Sequence, residues 1–361
     1  MATVQRLAIV GSGFIGNIHA FALKALRGGG LTTAEVVATC DVDEARAASL
    51  ASVSGARLVS TDPAKAFESA DAAWICTPTS SHAELIDLAA KTGIAVYCEK
   101  PLAPDLSTAQ ALAQTSIRSG AAHQVGLVLR FAPPLVTLKS LLAGEMPPVA
   151  GDPGSPLAAV LRDDQFFPIQ GMYASTWRGD VKVAGGGTLI EHSIHDLDLL
   201  SWLLGTVTSV SARTANHAGH EGVEDVAVVT LNHASGAISS LVSVWHNLVS
   251  RPSTRRLEIF SERSLCTVED EVAGPVKVEH PGGVTELGRP DRVQDILDRL
   301  DAPEALRVPL LPYALADLAF LRALSDGIPP APGMEVALEA HRVVDAAYRS
   351  AALGGEPCTL A

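Results

Sequence analysis

The sequence predicts an α/β protein of two domains, in which a doubly wound parallel sheet is followed by a mostly antiparallel one. Three observations predict this. A glycine fingerprint lies between a short apolar strand and a helix near the start of the chain. Strands and helices then alternate up to residue 128, and strand-like runs return after residue 204 with no helices between them. The length of 361 residues also exceeds what one hydrophobic core normally supports.

Composition and charge narrow the class of protein. Lys and Arg total 27 against 40 Asp and Glu, a net charge of −13, which argues against nucleic acid or an anionic membrane as a partner and favours a small-molecule substrate. The five cysteines form no CxxC pair, as is usual in a reduced cytoplasm. We see no export signal and no uncharged apolar run of about 18 residues, so we expect no membrane span.

The first element is a strand at Leu7–Val10, which runs into GSGFIG and then into a helix at Asn17–Leu26. The first glycine of such a fingerprint permits a tight turn, the second lets backbone amides approach a pyrophosphate, and the third lets helix and strand pack closely. The motif therefore predicts a dinucleotide cofactor. The predicted cofactor contacts here are Gly11, Gly13, Phe14, Ile15 and Gly16.

The second strand, Glu35–Cys40, ends in Asp41, whose carboxylate is placed to accept both hydroxyls of an adenosine ribose. No basic residue follows before Arg46, so a 2′-phosphate would face Asp41, Asp43 and Glu44. The sequence thus favours NAD over NADP. The alternative for Asp41 is a helix cap or turn residue.

Two later strands deliver polar residues to the same edge of the predicted sheet. Thr77 and Pro78 follow the strand Ala72–Cys76, and Glu99 and Lys100 follow the strand Ala95–Cys98. Ligands bind at the carboxyl ends of parallel strands, so Lys100 is placed to reach a cofactor ribose and a substrate oxygen. Its alternative is an ordinary solvated lysine. A strand at Ala122–Val128 completes a six-strand pattern.

The second domain centres on Gly185–Leu204, for which we predict one helix opened by a glycine run. Glu191 and His195 are four residues apart on one flank, so the carboxylate can orient the imidazole as a general acid/base. His192 and Asp196 repeat the spacing towards the expected solvent side. The alternative is that both are surface ion pairs.

The remainder of the second domain is predicted mainly from strand-like runs. Just before the helix, Trp177 and Arg178 form either a wall of the substrate site or a packing residue and an ion-pair partner. Two helices are predicted at the end of the chain. The predicted strands are Leu157–Arg162, Val207–Thr214, Val226–Leu231, Ile238–His246, Arg256–Phe260 and Leu265–Val268, and the predicted helices are Tyr313–Ser325 and Met334–Leu353. A sheet with one face uncovered by helices needs another layer, so we expect a homodimer or homotetramer.

Three motifs together resemble a known family. GSGFIG, TPTSSHAELIDLAAKTGIAVYCEKP and GGGTLIEHSIHDLDLLSWLLG, in this order and spacing, are similar to those of the Gfo/Idh/MocA oxidoreductases. The resemblance implies a Rossmann domain over 1–129 and, over 130–361, a substrate-binding and oligomerisation α/β domain with a large open, mostly antiparallel sheet. It implies nicotinamide-dependent oxidation or reduction of a secondary alcohol on a sugar, polyol or derivative, and a cis bond before Pro101.

The resemblance also assigns roles to residues. Lys100 corresponds to the lysine of the EKP motif and His195 to the acid/base histidine, while Thr77, Pro78, His82 and Glu99 match segments that line the nicotinamide half of the cofactor site. Glu191 stands where many members have Asp, so it either keeps the pairing with His195 or binds substrate. The predicted substrate contacts are Lys100, Arg130, Trp177, Glu191 and His195.

Two functions of other classes remain open from the sequence. A metal-dependent sugar isomerase or hydrolase would use His192 and His195 with Glu191 or Asp196 as ligands. A cofactor-binding regulator on the same fold is the other, because fold does not fix function. We favour the dehydrogenase and expect no metal, because both alternatives leave Lys100 or His195 without a role.

Overall fold

The computed structural model describes residues 6–146 and 152–360. The chain forms two compact units: Met1–Val128 with Arg292–Leu338, and Leu129–Asp291 with Glu339–Ala361. The predicted second domain comprises residues 130–361. The structure differs from this division by the segment Arg292–Leu338, which returns to the first unit.

The secondary structure follows the predicted alternation in the first third of the chain. The helices are α1 (Phe14–Gly28), α2 (Glu44–Ser54), α3 (Pro63–Glu68), α4 (His82–Thr92), α5 (Leu106–Ser119), α6 (Pro133–Leu142), α7 (Val181–Ala184), α8 (Thr188–Glu191), α9 (Ile194–Leu204), α10 (Asp291–Arg299), α11 (Glu304–Asp326) and α12 (Met334–Ala352). The strands are β1 (Arg6–Val10), β2 (Glu35–Cys40), β3 (Leu58–Ser60), β4 (Ala72–Ile75), β5 (Ala95–Cys98), β6 (His123–Val125), β7 (Pro156–Phe166), β8 (Val207–Ala215), β9 (Val226–His233), β10 (Ile238–His246), β11 (Thr254–Ser261), β12 (Leu265–Val268), β13 (Val276–His280), β14 (Gly283–Leu287) and β15 (Cys358–Thr359).

The sheet of the first unit has six parallel strands in the order β3-β2-β1-β4-β5-β6. This is the strand order of a doubly wound nucleotide-binding fold, so the predicted fold class is confirmed for this unit. The order reverses between β1 and β4. Ligands bind in such folds at that point, outside the carboxyl ends of the strands. The glycine fingerprint after β1 and Thr77 after β4 both lie there.

Helix α11 is longer than predicted, because it begins at Glu304 and includes Pro309 and Pro312. The predicted helix began at Tyr313, and each proline inside the longer helix removes one helical hydrogen bond. Burial offsets this loss, since Leu311 and Leu318 pack in one apolar cluster with Leu26 of α1. Among the described residues, α11 is also the helix whose length and hydropathy would suit a membrane span, but 56% of that apolar window is buried. It is a core helix.

The second unit contains a nine-stranded sheet in the order β14-β13-β12-β11-β7-β10-β9-β8-β15. Strands β7 and β10 are parallel and the other neighbours are antiparallel, which confirms the mostly antiparallel sheet. Apolar residues of α6, α9 and α12 pack with one face of the sheet in a single core. The hairpin β13–β14 was not predicted, although Pro281, Gly282 and Gly283 mark its turn.

A buried ion triad connects α11 to the sheet of the first unit. The imidazole of His19 in α1 is fully buried, with Nδ1 2.8 Å from Oδ1 of Asp317 and Nε2 3.0 Å from Oε1 of Glu99. The indole nitrogen of Trp74 donates to the same Asp317 oxygen at 2.8 Å. Burial lowers the pKa of His19, but Asp317 and Glu99 outweigh this effect and raise the pKa to about 10. A protonated His19 therefore holds together two carboxylates from distant parts of the chain.

Replacing His19 tests this triad. We expect His19→Gln to lower the free energy of unfolding by about 3–5 kcal/mol near pH 6, because two buried carboxylates lose their cation. A raised pKa makes the stabilisation complete below about 6.5, the ordinary value for histidine, and progressively lost towards about 10. The difference between wild type and variant should therefore shrink as the pH rises through that window.

The measurement is urea unfolding of both proteins at a series of pH values. His123→Gln is the control, because His123 lies in the same unit and its Nδ1 faces a single backbone carbonyl oxygen, that of Ala121. A difference for His19→Gln that does not change with pH would contradict a protonated His19.

Candidate functional site

The glycine fingerprint connects β1 to α1 with one glycine turned towards open space. Gly11 has φ +98°, and a Cβ there would lie 2.5 Å from the carbonyl group of Cys76. A Cβ on Gly16 would collide with the carbonyl oxygen of Gly11. A Cβ on Gly13 would meet no protein atom within 4 Å. The fold itself thus requires Gly11 and Gly16, whereas the space at Gly13 is what a bound phosphate group would need.

The N-terminal end of α1 completes this cradle. Gly13 is the N-cap of the helix and supplies no side chain to its first backbone N–H groups. Phe14, the first residue of α1, is 39% exposed. A helix N-terminus with exposed amides and a favourable dipole binds phosphate, so the loop fits the pyrophosphate of a dinucleotide.

Asp41 lies directly beside this cradle. Its Oδ2 accepts a hydrogen bond from the backbone N–H of Ser12 at 2.7 Å, and its Oδ1 accepts one from Asp43 at 3.0 Å. The turn alternative therefore describes part of its role, whereas the cap of α2 is Asp43. The bond to Ser12 ties the Asp41 carboxylate to the fingerprint loop, the position from which a ribose would be contacted.

His82 fastens two loops of the predicted nicotinamide region together. Its ring is buried, with Nε2 3.1 Å from the carbonyl oxygen of Thr77 and Nδ1 3.0 Å from that of Pro101. The hydroxyl of Thr77 is buried and has no hydrogen-bond partner in the part of the chain that the structure describes. A buried hydroxyl can both donate and accept a hydrogen bond, so the Thr77 hydroxyl fits a ligand that carries an amide group. The contact of His82 itself with a cofactor stays a prediction.

Glu99 and Lys100 follow β5 at the same edge. Oε1 of Glu99 faces His19, and Oε2 accepts the backbone N–H of Lys100 at 3.3 Å. The Lys100–Pro101 bond is cis, as the resemblance implies. Glu99 thus acts within the first unit by holding the backbone of Lys100, and its contact with a cofactor stays a prediction.

His19 and Asp317 support this loop, and neither was predicted to do so. Two signals were present. His19 lies three residues after the fingerprint, and Asp317 is the one charged residue between Val308 and Leu321. A lone acid in an apolar helix usually has a buried partner, but only the fold shows which one.

In the second unit, the predicted helix Gly185–Leu204 is two helices. Helix α8 ends at Glu191 and α9 begins at Ile194, with His192 and Ser193 between them. The hydroxyl of Ser193 donates to Ser243 Oγ at 2.6 Å, and Ser243 Oγ is also 2.7 Å from Thr188 Oγ1. These bonds to β10 hold the break, and helical periodicity does not reveal them.

Glu224 caps the start of α8. Its two carboxylate oxygens accept the backbone N–H groups of Gly187 and Leu189, each at 2.8 Å, and Tyr348 donates to it at 3.0 Å. A Cβ on Gly187 would collide with the backbone of Glu224. Gly187 is therefore needed because Glu224 approaches this closely.

Glu191 and His195 lie on either side of the break and are both buried. Oε2 of Glu191 accepts a hydrogen bond from Nε of Arg178 at 3.1 Å, and the Arg178 guanidinium lies 4.5 Å from the Trp177 ring centroid. The ion-pair alternative for Arg178 is therefore confirmed. The orientation of His195 by Glu191 stays a prediction.

Arg130 also has a carboxylate partner. Its Nε and one terminal nitrogen donate to the two oxygens of Asp198, both at 2.8 Å, and its guanidinium lies 5.5 Å from the Trp202 ring centroid. Arg130 thereby anchors α9. Its contact with substrate stays a prediction, as does that of Trp177.

The expectation that His192 and Asp196 face solvent is wrong. Asp196 is fully buried, and its Oδ1 accepts a hydrogen bond from Nε of Arg255 at 2.7 Å. His192 Nε2 is 2.7 Å from Oδ2 of Asp163. The physical reason is that β7 and β11 supply polar partners beneath this part of α9. In residues 6–146 and 152–360, no three His, Cys, Asp or Glu side chains are grouped to hold a metal ion.

Comparison with known proteins assigns the chain to a family. A family model described as an oxidoreductase family with an NAD-binding Rossmann fold matches residues 5–127, and the Gfo/Idh/MocA C-terminal domain model matches residues 149–264. The chain belongs to the Gfo/Idh/MocA oxidoreductase family. It is an oxidoreductase and its cofactor is NAD, which confirms both predictions.

The similarity to individual proteins covers between 64% and 99% of the chain. An inositol 2-dehydrogenase of Rhizobium meliloti (strain 1021) is 27% identical over 96% of this chain and 97% of its own length. A scyllo-inositol 2-dehydrogenase (NAD(+)) of Bacillus subtilis (strain 168) is 32% identical over 64% of this chain and 65% of its own. A solved structure of levoglucosan dehydrogenase with NADH and levoglucosan shares the fold, with a TM-score of 0.84, 21% identity and 99% coverage of both chains.

Two glycine variants separate cofactor binding from folding. Gly13→Ala should fold normally, because its Cβ meets no protein atom, but should raise the Kd for NAD about 10-fold or more, a loss of about 1.4 kcal/mol, because the methyl group enters the phosphate cradle. Gly16→Ala should instead lower the free energy of unfolding by about 1–3 kcal/mol, because it overpacks the turn.

Calorimetric titration with NAD and thermal unfolding of both variants make this comparison. Unchanged NAD affinity in a stable Gly13→Ala protein would contradict the assignment of the cradle.

Proposed function

We propose that this protein oxidises a secondary hydroxyl of an inositol-like polyol or a neutral sugar with NAD, and that His195 accepts the hydroxyl proton. The observation that carries the proposal is the break between α8 and α9, which puts a buried imidazole at the second position of α9 in the same short segment as Glu191. A purely structural α-helix would gain nothing from this interruption. The polyol dehydrogenases among the relatives support the substrate class.

The roles of the residues follow from their chemistry. Bound NAD supplies the hydride acceptor. His195 takes the hydroxyl proton, since an imidazole accepts and releases protons near neutral pH. Lys100 holds the substrate oxygen, and its backbone is fixed by Glu99. Glu191 orients His195 or, together with Arg178, binds a neighbouring hydroxyl.

The charge balance of the second unit favours an uncharged substrate. Arg178 is paired with Glu191 and Arg130 with Asp198, so neither arginine brings a net positive charge for a carboxylate or phosphate. Arg130 and Trp177 then contribute shape and hydroxyl contacts. To reach either arginine, a sugar acid would have to displace one of these carboxylates, which costs a buried ion pair.

A test of the mechanism uses steady-state kinetics. Inositols, aldoses and sugar acids are screened for NADH formation, and His195→Ala is then compared with wild type on the best substrate. We expect kcat to fall about 10²–10⁴-fold with little change in NAD affinity, because general acid/base catalysis contributes that much.

His217→Ala is the matched control, because His217 is an exposed histidine of the same unit. A His195→Ala enzyme that turns over at the wild-type rate would refute the mechanism. Preferred oxidation of sugar acids would refute the substrate class alone.

We also propose that the protein is a homo-oligomer assembled through the nine-stranded sheet. Four apolar side chains on the face away from the helices are exposed: Val160 (43%), Val228 (44%), Ile238 (51%) and Phe260 (41%). The strand register puts them on the same face. A second copy would bury this patch.

The five buried, unpaired cysteines support a reduced, cytoplasmic setting.

Light scattering after size-exclusion chromatography tests the assembly. The double variant Val160→Lys/Val228→Lys should run as a monomer with unchanged secondary structure, because dimerisation would bury two unpaired positive charges from each subunit. Ile117→Lys, at a 50% exposed site on α5, should keep the wild-type mass. A wild-type mass for the double variant would exclude this face as the interface.

A further inference from the structure

A cluster of charged side chains lies beneath the α8–α9 break, and the proposed catalytic roles do not use it. Arg255 in β11 is at its centre. Its Nε donates to Asp196 at 2.7 Å, one terminal nitrogen donates to Asp163 at 2.9 Å, and the other donates to Glu271 at 3.3 Å. His192 Nε2 lies 2.7 Å from Asp163 and 3.1 Å from Arg255.

Two of these carboxyl groups bind adjacent donors of the same guanidinium. Asp163 and Asp196 are both fully buried. Oδ2 of Asp163 and Oδ1 of Asp196 accept hydrogen bonds from a terminal nitrogen and from Nε of Arg255, whereas Oδ1 of Asp163 and Oδ2 of Asp196 have no hydrogen-bond partner among the described residues. Carboxylate oxygens only accept hydrogen bonds, so a proton on one of the two groups is what would let these buried oxygens bond to each other.

The pair is also connected to both sides of the break. Asp163 binds His192, the residue that follows α8, and Asp196 lies in the first turn of α9 beside His195. Both aspartates are tied through Arg255 to the sheet. Any movement of one carboxyl group relative to the other would therefore shift the segment that carries His195.

We propose that Asp163 and Asp196 share a single proton and that this proton-sharing pair positions His195 by fixing the α8–α9 break. The two aspartates are positioning residues, and the effect on catalysis rests on the function proposed above for His195. Loss of the shared proton would put two negative charges on adjacent buried carboxylates, which repel each other. The break would then loosen, and His195 would lose its alignment.

The surroundings agree with a retained proton. Burial raises the pKa of both aspartates, against the opposing effect of Arg255, and the pKa of Asp196 reaches about 7. The charged and titratable groups that face the pair come from five further places in the unit: Arg255 in β11, Glu271 after β12, His192 at the break, Asp164 in β7 and Tyr173 in the loop after β7. Because the folded pKa of Asp196 is raised, its contribution to stability is complete below about 3.8 and falls as the pH rises through about 7.

Two variants of Asp196 test the shared proton. In Asp196→Asn the amide NH₂ donates to Asp163 permanently and the amide oxygen still accepts from Arg255, so the side chain copies the protonated acid. We expect its kcat at pH 6 to stay within about threefold of wild type, and the ratio of its kcat to that of wild type to rise as the pH goes from 6 to 9. Asp196→Ala should lose about 100-fold in kcat at every pH, since misplacing a catalytic group by about 1 Å costs that much.

Stability measurements separate this proposal from the proposed function, because they need no substrate. Urea unfolding between pH 4 and 9 should show that Asp196→Asn gains stability relative to wild type from about pH 4 to about pH 7, between the pKa values of Asp196 in the unfolded and folded states, with no further gain above that range. Asp345→Asn is the control, because it removes the same formal charge from a surface pair with Arg349 and should show no such gain.

The proposal would be overturned if Asp196→Asn lost as much kcat as Asp196→Ala. It would also be overturned if the stability difference between Asp196→Asn and wild type did not change with pH. If the stability difference behaves as expected but kcat is unaffected in both Asp196 variants, the proton is shared but does not position His195, and the positioning role is excluded.

Discussion

The polar interior of the second unit depends on the buried ion pairs of Arg255. A buried guanidinium is costly unless carboxylates surround it, and here Asp163, Asp196 and Glu271 do so. These partners come from β7, from α9 and from the loop after β12, so one side chain fixes a helix to a sheet. The consequence is local and specific: the first turn of α9, which carries His195 and Asp196, is tied to the sheet.

The first unit uses the same kind of constraint with a different cation. His19 is placed between Glu99 and Asp317, and Glu99 in turn holds the backbone of Lys100. Together with the apolar cluster between α11 and α1, the triad holds Arg292–Leu338 to this unit, since α11 supplies one of the two carboxylates. In both units, a buried cation thus supports the segment that carries a proposed catalytic side chain.

The elements that depend on local sequence patterns were predicted well. Apolar runs, turn glycines and the fingerprint specify the six-stranded parallel sheet, and alternation specifies most strands of the larger sheet. The misses arise from contacts that are distant in sequence. Periodicity made Gly185–Leu204 one helix because Ser243, more than 40 residues away, is what holds the break. Asp196 was expected on the surface because nothing near it in sequence indicates Arg255. The helix predicted from Tyr313 begins at Glu304, because burial against α1 outweighs the cost of the two prolines inside it.

The candidate site shows the same division. The motifs indicated Gly13, Asp41, Lys100 and His195. In the structure, Gly13 faces open space, Asp41 binds the fingerprint loop, Glu99 holds the backbone of Lys100, and His195 lies in the first turn of α9. The supports of these residues, among them His19, Glu224 and Arg255, act through tertiary contacts and carry no motif of their own. Carboxylate pairing of Arg130 and Arg178 also became visible only in the folded chain, and it is the basis on which we propose a neutral substrate.

The most direct test of the central claim, that His195 accepts the substrate proton, is the pH dependence of a single turnover. Excess enzyme with bound NAD is mixed with an active polyol in a stopped-flow instrument, and NADH formation is followed over a range of pH. The account predicts that the wild-type rate rises with pH along one ionisation, as the imidazole loses its proton, and falls at higher pH where the Asp163–Asp196 pair loses its own proton. In His195→Asn the rate should be slow and the rising ionisation absent. The same rising ionisation in both proteins would contradict the account.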